Sequence, residues 1–282
     1  MMRKTIVIYS DKKDVVAMRA NATGVPSIHI DELITALEAR PWPENLRLSP
    51  GIQTVERFRN ARVINRVFIL EGTGVADFLR EHCIDTRWFH IRLQSLLAIG
   101  ESLCHDTGGL GVSRSLAPLN VQWFEIKREM QDARTPEFAY GVGYEAADLS
   151  HVQDPMQKSV WSLFDWKKET RLGEDERAQH QFHVARPKGI PAIAWFFGGD
   201  HRGLHFPRDT VEIDAVLLER MTRAAARAFR SDIGEMLLYV TGSVVTFHAF
   251  SPFLRSVSCC ASASEPLDAW LFGRTERQEH VV

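Results

Sequence analysis

The chain opens with a short apolar run, a helical stretch, a glycine stop and a second apolar run. That order points to a β-α-β unit and a parallel sheet. Thr5-Ile6-Val7-Ile8-Tyr9 is the first run, and charged Asp11-Lys12-Lys13-Asp14 follows it at once. An apolar stretch this short reads as a strand and not as the core of a signal peptide. Helical spacing appears at Val15, Val16, Met18 and Ala22, and Gly24 stops it. Residues 25–30 read as the second strand and 61–67 as a third. Asp31 is positioned to cap a helix over 32–40, which Pro41-Trp42-Pro43 ends.

Farther along, residues 86–102 carry Phe89, Leu93, Leu96, Leu97 and Ile99 mostly on one face, which predicts a helix. A glycine-rich loop over 106–111 separates it from a helix over 121–133 and an extended exit over 135–140. The composition changes near Ser150. An aromatic run over 160–164 precedes a highly charged stretch over 167–179. Residues 181–185, 192–197 and 211–213 read as strands. A helix over 216–229 has Leu217, Met221, Ala224, Ala225 and Phe229 on its apolar side. Residues 235–239 and 244–250 form a hairpin around Thr241-Gly242-Ser243.

Length and balance bound the class. The chain has 282 residues, 45% of them apolar and 25% charged, with a formal net charge of -2. Such a chain builds one large or two small cores and carries no global field for DNA, RNA or anionic lipid. No apolar run approaches the roughly 18–20 residues of a membrane span, so the expectation is a cytoplasmic protein with neither nucleic acid nor membrane as partner. Cys83, Cys104, Cys259 and Cys260 form no CxxC pair, which argues against structural zinc. Adjacent Cys259 and Cys260 read as ordinary thiols, with redox activity as the sharper alternative.

The order of pieces resembles the ATP-grasp ligases, in particular the peptide-modifying enzymes that mature graspetides such as microviridin. Val63-Ile64-Asn65-Arg66 is similar to the strand that ends the family's Rossmann-like pre-domain. Leu119-Asn120, Lys127, the helix to Ala133 and Thr135-Pro136 are similar to the entry of the family's second half, and the stretch from Phe229 to Pro252 to its closing helix and hairpin. The resemblance implies an α/β fold: a Rossmann-like pre-ATP-grasp domain over 1–112, then a reduced, degenerate ATP-grasp-like α+β domain over 113–282. It also implies a homodimer.

Departures from the pattern carry the functional expectation. The resemblance implies carboxylate and amide ligands for Mg²⁺ on the closing hairpin, because ATP carries close to four negative charges that hard oxygen-bound metal ions offset. Leu237 stands where an Asp is expected, and His248-Ala249-Phe250 where Glu-x-Asn is expected. Leucine and phenylalanine ligate nothing, and imidazole is a poor donor for Mg²⁺. Val160-Trp161-Ser162 is similar to the nucleotide-clamping strand but has no lysine in register and no glycine flap, with Lys158 and Lys167 close by. The expectation is therefore no cofactor and no catalytic residue.

A ligase stripped in this way retains a peptide-binding surface, by strand addition or in an apolar groove. The chain then reads as a non-catalytic, precursor-peptide-binding protein of a ribosomal peptide natural-product pathway, in a setting like that of crocagin, presenting substrate to partner enzymes. An active ATP-dependent carboxylate–amine or carboxylate–hydroxyl ligase is one alternative, and a structural subunit paired with an active paralogue is another. Candidate peptide anchors are Arg114, from the glycine-rich segment, and the aromatics Trp161, Phe164, Trp166 and Trp195, which otherwise belong to the core.

Three further constellations carry less. His201 and His205, four apart, would face one way on a helix, but Gly198, Gly199 and Gly203 predict a loop; with His180 and His183 they lack any carboxylate motif. Cys104-His105-Asp106 holds triad residue types in adjacent positions, whose side chains diverge. Residues 106–115 lack the lysine and spacing of a P-loop.

Overall fold

The computed structural model of the chain describes residues 4–37, 46–48, 61–97, 101–103, 117–141, 147–161 and 181–273. The β-α-β opening is present. β1 (Lys4–Tyr9) leads to α1 (Val15–Thr23), which Asp14 caps by accepting from the Ala17 amide. Gly24 ends α1 in the left-handed region at φ 74°, open to glycine at no steric cost. β2 (Ser27–His29) then pairs parallel with β1.

The helix expected over 32–40 is a single turn, α2 (Ile30–Leu33), followed by β3 (Ile34–Leu37) paired with β4 (Leu46–Leu48). Asp31 does not cap it. β5 (Ala61–Arg66) pairs parallel with β1, and α3 (Gly74–Glu81) follows. The Asp31 carboxylate reaches this later helix, accepting from the Gly74 and Val75 amides at 3.1 and 3.2 Å. α4 (Thr86–Leu97) is shorter than the sequence predicts, because residues 101–103 leave it for β6 (Glu101–Leu103). The first sheet has the order β2-β1-β5-β6, every pair parallel.

α5 (Leu119–Glu129) begins the second half, followed by β7 (Phe138–Gly141), β8 (Pro155–Gln157) and β9 (Gln181–Ala185), an antiparallel sheet of order β7-β9-β8. β10 (Ile190–Phe197) and β11 (His201–His205) form a hairpin. Residues 201–205 are thus a strand and not a loop. Residues 211–213, expected as a strand, are irregular. α6 (Ala215–Phe229) leads to β12 (Ile233–Thr241) and β13 (Val244–Ser251), the expected hairpin, which closes the sheet β11-β10-β12-β13. The chain then runs through two 3-10 turns, Val257–Cys259 and Ala261–Ala263, into α7 (Ser264–Leu271).

α5 and α6 pack on one face of this last sheet through Trp123, Ile126, Met221, Ala225 and Phe229. Its other face joins the first sheet. Val7, Val16 and Ile64 share one buried cluster with Trp195, Phe197, Leu267 and Trp270. The division expected near residue 112 is therefore bridged by apolar packing, in which the carboxyl-terminal helix folds back on α1. Arg19 on α1 holds Asp268 on α7 with both oxygens at 2.5 Å. No described helix is long and apolar enough to cross a membrane.

Candidate functional site

The hairpin β12–β13 sorts its side chains by register. Met236 pairs with Phe250 and Leu237 with Ala249, and successive residues of a strand point to opposite faces. Phe250 therefore belongs to the helix-packed face, away from Leu237. Its ring stacks on Phe229 at 4.4 Å and is wholly buried. It lies so close to Gly234 that a Cβ there would meet the ring at 2.1 Å. Gln122 on α5 locks the strand, accepting from the Phe250 amide at 2.7 Å and donating to its carbonyl oxygen at 3.2 Å.

The opposite face carries Leu237 and Ala249, with Glu235 and Ser251 paired beside them and Trp195 facing Glu235. A bulge between Leu237 and Leu238 leaves His248 as the extra residue. The His248 ring lies 4.5 Å from that of Tyr239, and its carbonyl oxygen accepts from Trp123 Nε1 at 2.9 Å. Burial, and then the nearby charge of Lys158, push the imidazole down to about 3, so it is neutral at pH 7. Burial likewise pushes the Tyr239 phenol up.

Lys158 is the residue that sequence reasoning misplaced. The strand lies at Pro155–Gln157, residues 160 and 161 form a turn, and Lys158 follows the strand directly. Its amide donates to the Phe182 carbonyl at 2.9 Å, and its side chain is buried next to His248. The visible signal was Met156 between Pro155 and Gln157, with a lysine directly after the short run.

Glu235 is the only carboxylate of the two hairpin strands. Its Oε2 accepts from the Ser256 and Val257 amides at 3.0 and 3.3 Å, so it braces the loop that leads to α7. Burial pushes it up to about 7, against the pull of those amides.

The predicted peptide anchors divide. Trp195 is core: it is 3% exposed and its ring stacks on Phe197 at 5.1 Å. Trp161 is 58% exposed, in the turn whose Val160 carbonyl accepts from the first amide of α5. Arg114, Phe164 and Trp166 lie outside the described residues, as do Cys104-His105-Asp106, the glycine-rich segment and His180. His201 and His205 sit at opposite ends of β11, too far apart to share an ion. Among the described residues, no group of three or more His, Cys, Asp or Glu is placed to hold a metal.

An aromatic surface was not anticipated. Phe124 on α5 is 65% exposed and Tyr140 on β7 46% exposed. Phe138 lies between them, 6.1 Å from Phe124 and 5.9 Å from Phe182. Among the described residues β7 pairs with β9 alone, so its other edge has no strand partner, although the Phe138 carbonyl oxygen there accepts from His151 Nε2 at 3.0 Å.

The arrangement of sheets and helices matches known structures over nearly the whole chain. One is the ATP-grasp ligase PsnB complexed with a phosphomimetic variant of minimal precursor, Mg and ADP: TM-score 0.59, 14% identity, 97% of this chain and 99% of that one. Another is the macrocyclase MdnC bound with precursor peptide MdnA from Microcystis aeruginosa MRC: TM-score 0.57, 12% identity, 95% and 99%. The chain has the ATP-grasp ligase fold. The RimK domain ATP-grasp protein from Sphaerobacter thermophilus DSM 20745 is similar too, with TM-score 0.56, 12% identity and coverage of 96% and 98%. No protein-family model and no curated protein sequence matches the chain.

An ATP-grasp fold raises the question of whether Mg²⁺ and ATP fit here. Lys158 supplies a cation suited to a phosphate. The hairpin face supplies Leu237, Ala249 and a neutral imidazole, and its one carboxylate is committed to backbone amides. Mg²⁺ demands several oxygen ligands in near-octahedral geometry. The hairpin residues do not meet that demand.

Proposed function

We propose that this ATP-grasp-fold chain binds a ribosomal precursor peptide without turning it over. The observation that carries the reading is the pairing of Leu237 with Ala249, where a metal-bound nucleotide would need oxygen donors. The likeness to PsnB and MdnC, whose structures contain precursor peptides, supports a peptide as the ligand class. The strand-free edge of β7 is the docking place: main-chain hydrogen bonds, one of them in exchange for the His151 contact at the Phe138 carbonyl, would add the peptide as a strand, and Phe124, Phe138 and Tyr140 would take its apolar side chains. The protein would work in the cytoplasm as a homodimer, handing the peptide to enzymes of the same pathway, with lobes dividing near residue 112.

The second reading is an active ATP-dependent peptide ligase. The full-length likeness to proteins described as ligases and macrocyclases favours it, more than that likeness favours a silent protein, and so does the buried Lys158. The hairpin residues weigh the other way. A structural subunit paired with an active paralogue is the third.

The test is titration with the precursor peptide of the same biosynthetic locus, followed by amide hydrogen exchange. Saturable binding with new protection in residues 138–141, weakened about tenfold by Phe124→Ala or Tyr140→Ala, is expected. Protection elsewhere, or none, contradicts the docking place. Peptide modified by the protein alone with ATP establishes the second reading.

A further inference from the structure

The first sheet changes winding direction between β1 and β5, and in open parallel sheets ligands bind beyond the carboxyl ends of the strands at such a point. Ser10 directly follows β1, and Asn65 and Arg66 end β5. All three are more than nine-tenths buried. Among the described residues, Ser10 Oγ, Asn65 Nδ2 and Arg66 Nη1 have no hydrogen-bond partner. Buried polar groups are almost always satisfied, and two of these orphans, Ser10 Oγ and Arg66 Nη1, belong to residues that line one recess, which calls for a ligand or ordered water there.

Arg66 shows what kind of ligand. Its Nε and Nη2 both donate to Asp14 Oδ2, at 3.0 and 2.7 Å, while Asp14 Oδ1 caps α1. The remaining guanidinium nitrogen keeps its donors. Arg66 and Ser10 line a small recess of about 30 Å³ with Lys13, Arg255, Phe68 and Phe253. The Arg66 guanidinium lies 4.6 Å over the Phe68 ring and that of Arg255 5.4 Å over Phe253, and the two rings meet edge to face at 5.1 Å. Asp11 and Asp14 also face the recess. Asp14 is taken by Arg66, and Asp11 accepts from the Lys13 amide at 2.8 Å. Three cations against two carboxylates leave a place for one more negative charge. The space suits a carboxylate head.

Lys13 and Arg255 stand on a second wall as well. With Asp11 they line a pocket of about 750 Å³ between α1 and α7, whose apolar surface comes from Val15, Met18, Val257, Ala263 and Leu267. Arg19 also lines it, but its charge is spent on Asp268. A cationic recess with orphaned donors, bordering an apolar pocket through the same two cations, matches an amphipathic acid.

We propose that this switch point is a second ligand site, separate from the β7 edge, which takes a carboxylate carried on an apolar body. A free aliphatic acid and the terminal carboxylate of a peptide with apolar last residues share that chemistry. The head would sit against Arg66, Ser10, Lys13 and Arg255, and the body in the larger pocket.

The experiment titrates the full chain, at constant ionic strength, with acetate, hexanoate, 1-hexanol, inorganic phosphate, and N-acetyl-leucyl-leucine as free acid and as amide. Saturable binding of hexanoate is expected, at least about tenfold tighter than that of acetate because of the added apolar burial, with none for hexanol or phosphate. Arg255→Gln and Lys13→Gln, both exposed and absent from the core, should each weaken hexanoate about tenfold and leave the ligand-free melting temperature unchanged. Binding of the dipeptide acid but not its amide assigns a peptide terminus; hexanoate alone assigns a free acid. The double variant Phe124→Ala/Tyr140→Ala should bind hexanoate like the parent chain, since the two sites are distinct. No saturable hexanoate binding, phosphate binding as tight as hexanoate, or indifference to both cation substitutions overturns the proposal.

Discussion

Leu237 stands directly opposite Ala249 across the antiparallel pair β12–β13, on the face away from Phe250, and Leu237 is 2% exposed. This contact makes that stretch of the closing hairpin apolar. It also makes the position intolerant of charge. Leu237→Asp should destabilise the chain by about 3 kcal/mol or more, because an unpaired carboxyl would be buried among alkyl groups. Urea unfolding measures the loss. Millimolar Mg²⁺ should not restore it; restoration would mean that the face still assembles a metal site.

Phe250 serves packing alone. Phe250→Ala should cost about 3–5 kcal/mol, since the ring fills the space above Gly234 and stacks on Phe229. The expected result is a lower urea midpoint with the slope retained. A loss under 1 kcal/mol, on the scale of a surface change, would show that the ring is not the keystone of this face.

Glu235 and His248 give stability an opposed pH dependence. Glu235 is raised from its ordinary 4.5 to about 7 in the fold. Between those values the folded chain holds a proton that the unfolded chain releases, so this contribution is full below 4.5 and is lost as pH rises through 7. Glu235→Gln should therefore gain on the parent chain by roughly 3 kcal/mol from pH 4.5 to 7, at about 1.4 kcal/mol per pH unit. His248 is lowered from 6.5 to about 3, so its contribution is present above 6.5 and is lost as pH falls toward 3. The parent chain should show a plateau between these flanks. Urea midpoints of parent and Glu235→Gln across pH 4–8 test this, and a constant difference would refute it.

Asp31 accepts from the first two amides, Gly74 and Val75, of a helix that begins 43 residues later and whose N-cap is Thr73. Asp31→Ala should cost about 1 kcal/mol, and amide exchange should quicken at the start of α3. Faster exchange confined to residues 30–33 would mean that its role is local after all.

Asp31 also shows why some of the fold was legible and some was not. An acidic residue before a helical pattern is a local sign, and it does bind the first amides of a helix, but the helix arrives by tertiary contact. The β1-α1-β2 unit, β5, α6 and the β12–β13 hairpin were readable because their signals are periodic and local. β6 was absorbed into a predicted helix because Leu96, Leu97 and Ile99 continue the helical spacing almost up to it. Leu237 was recognised as apolar where an acid was expected, and the Met236–Phe250 pairing then put Phe250 on the other face, a matter of register that one strand alone does not reveal. Trp195 joined the core because its β10 neighbours are buried on both faces. Phe124 and Tyr140 were not read as a surface, because the sequence does not show that a helix and a strand bring them to one exposed face beside Phe138.

The most direct measurement is calorimetric titration of the full chain with Mg·ATP at pH 7. A hairpin face that offers alkyl groups, a neutral imidazole and one carboxyl held by backbone amides predicts no saturable heat at millimolar nucleotide. A micromolar dissociation constant that vanishes when Mg²⁺ is chelated would contradict the account.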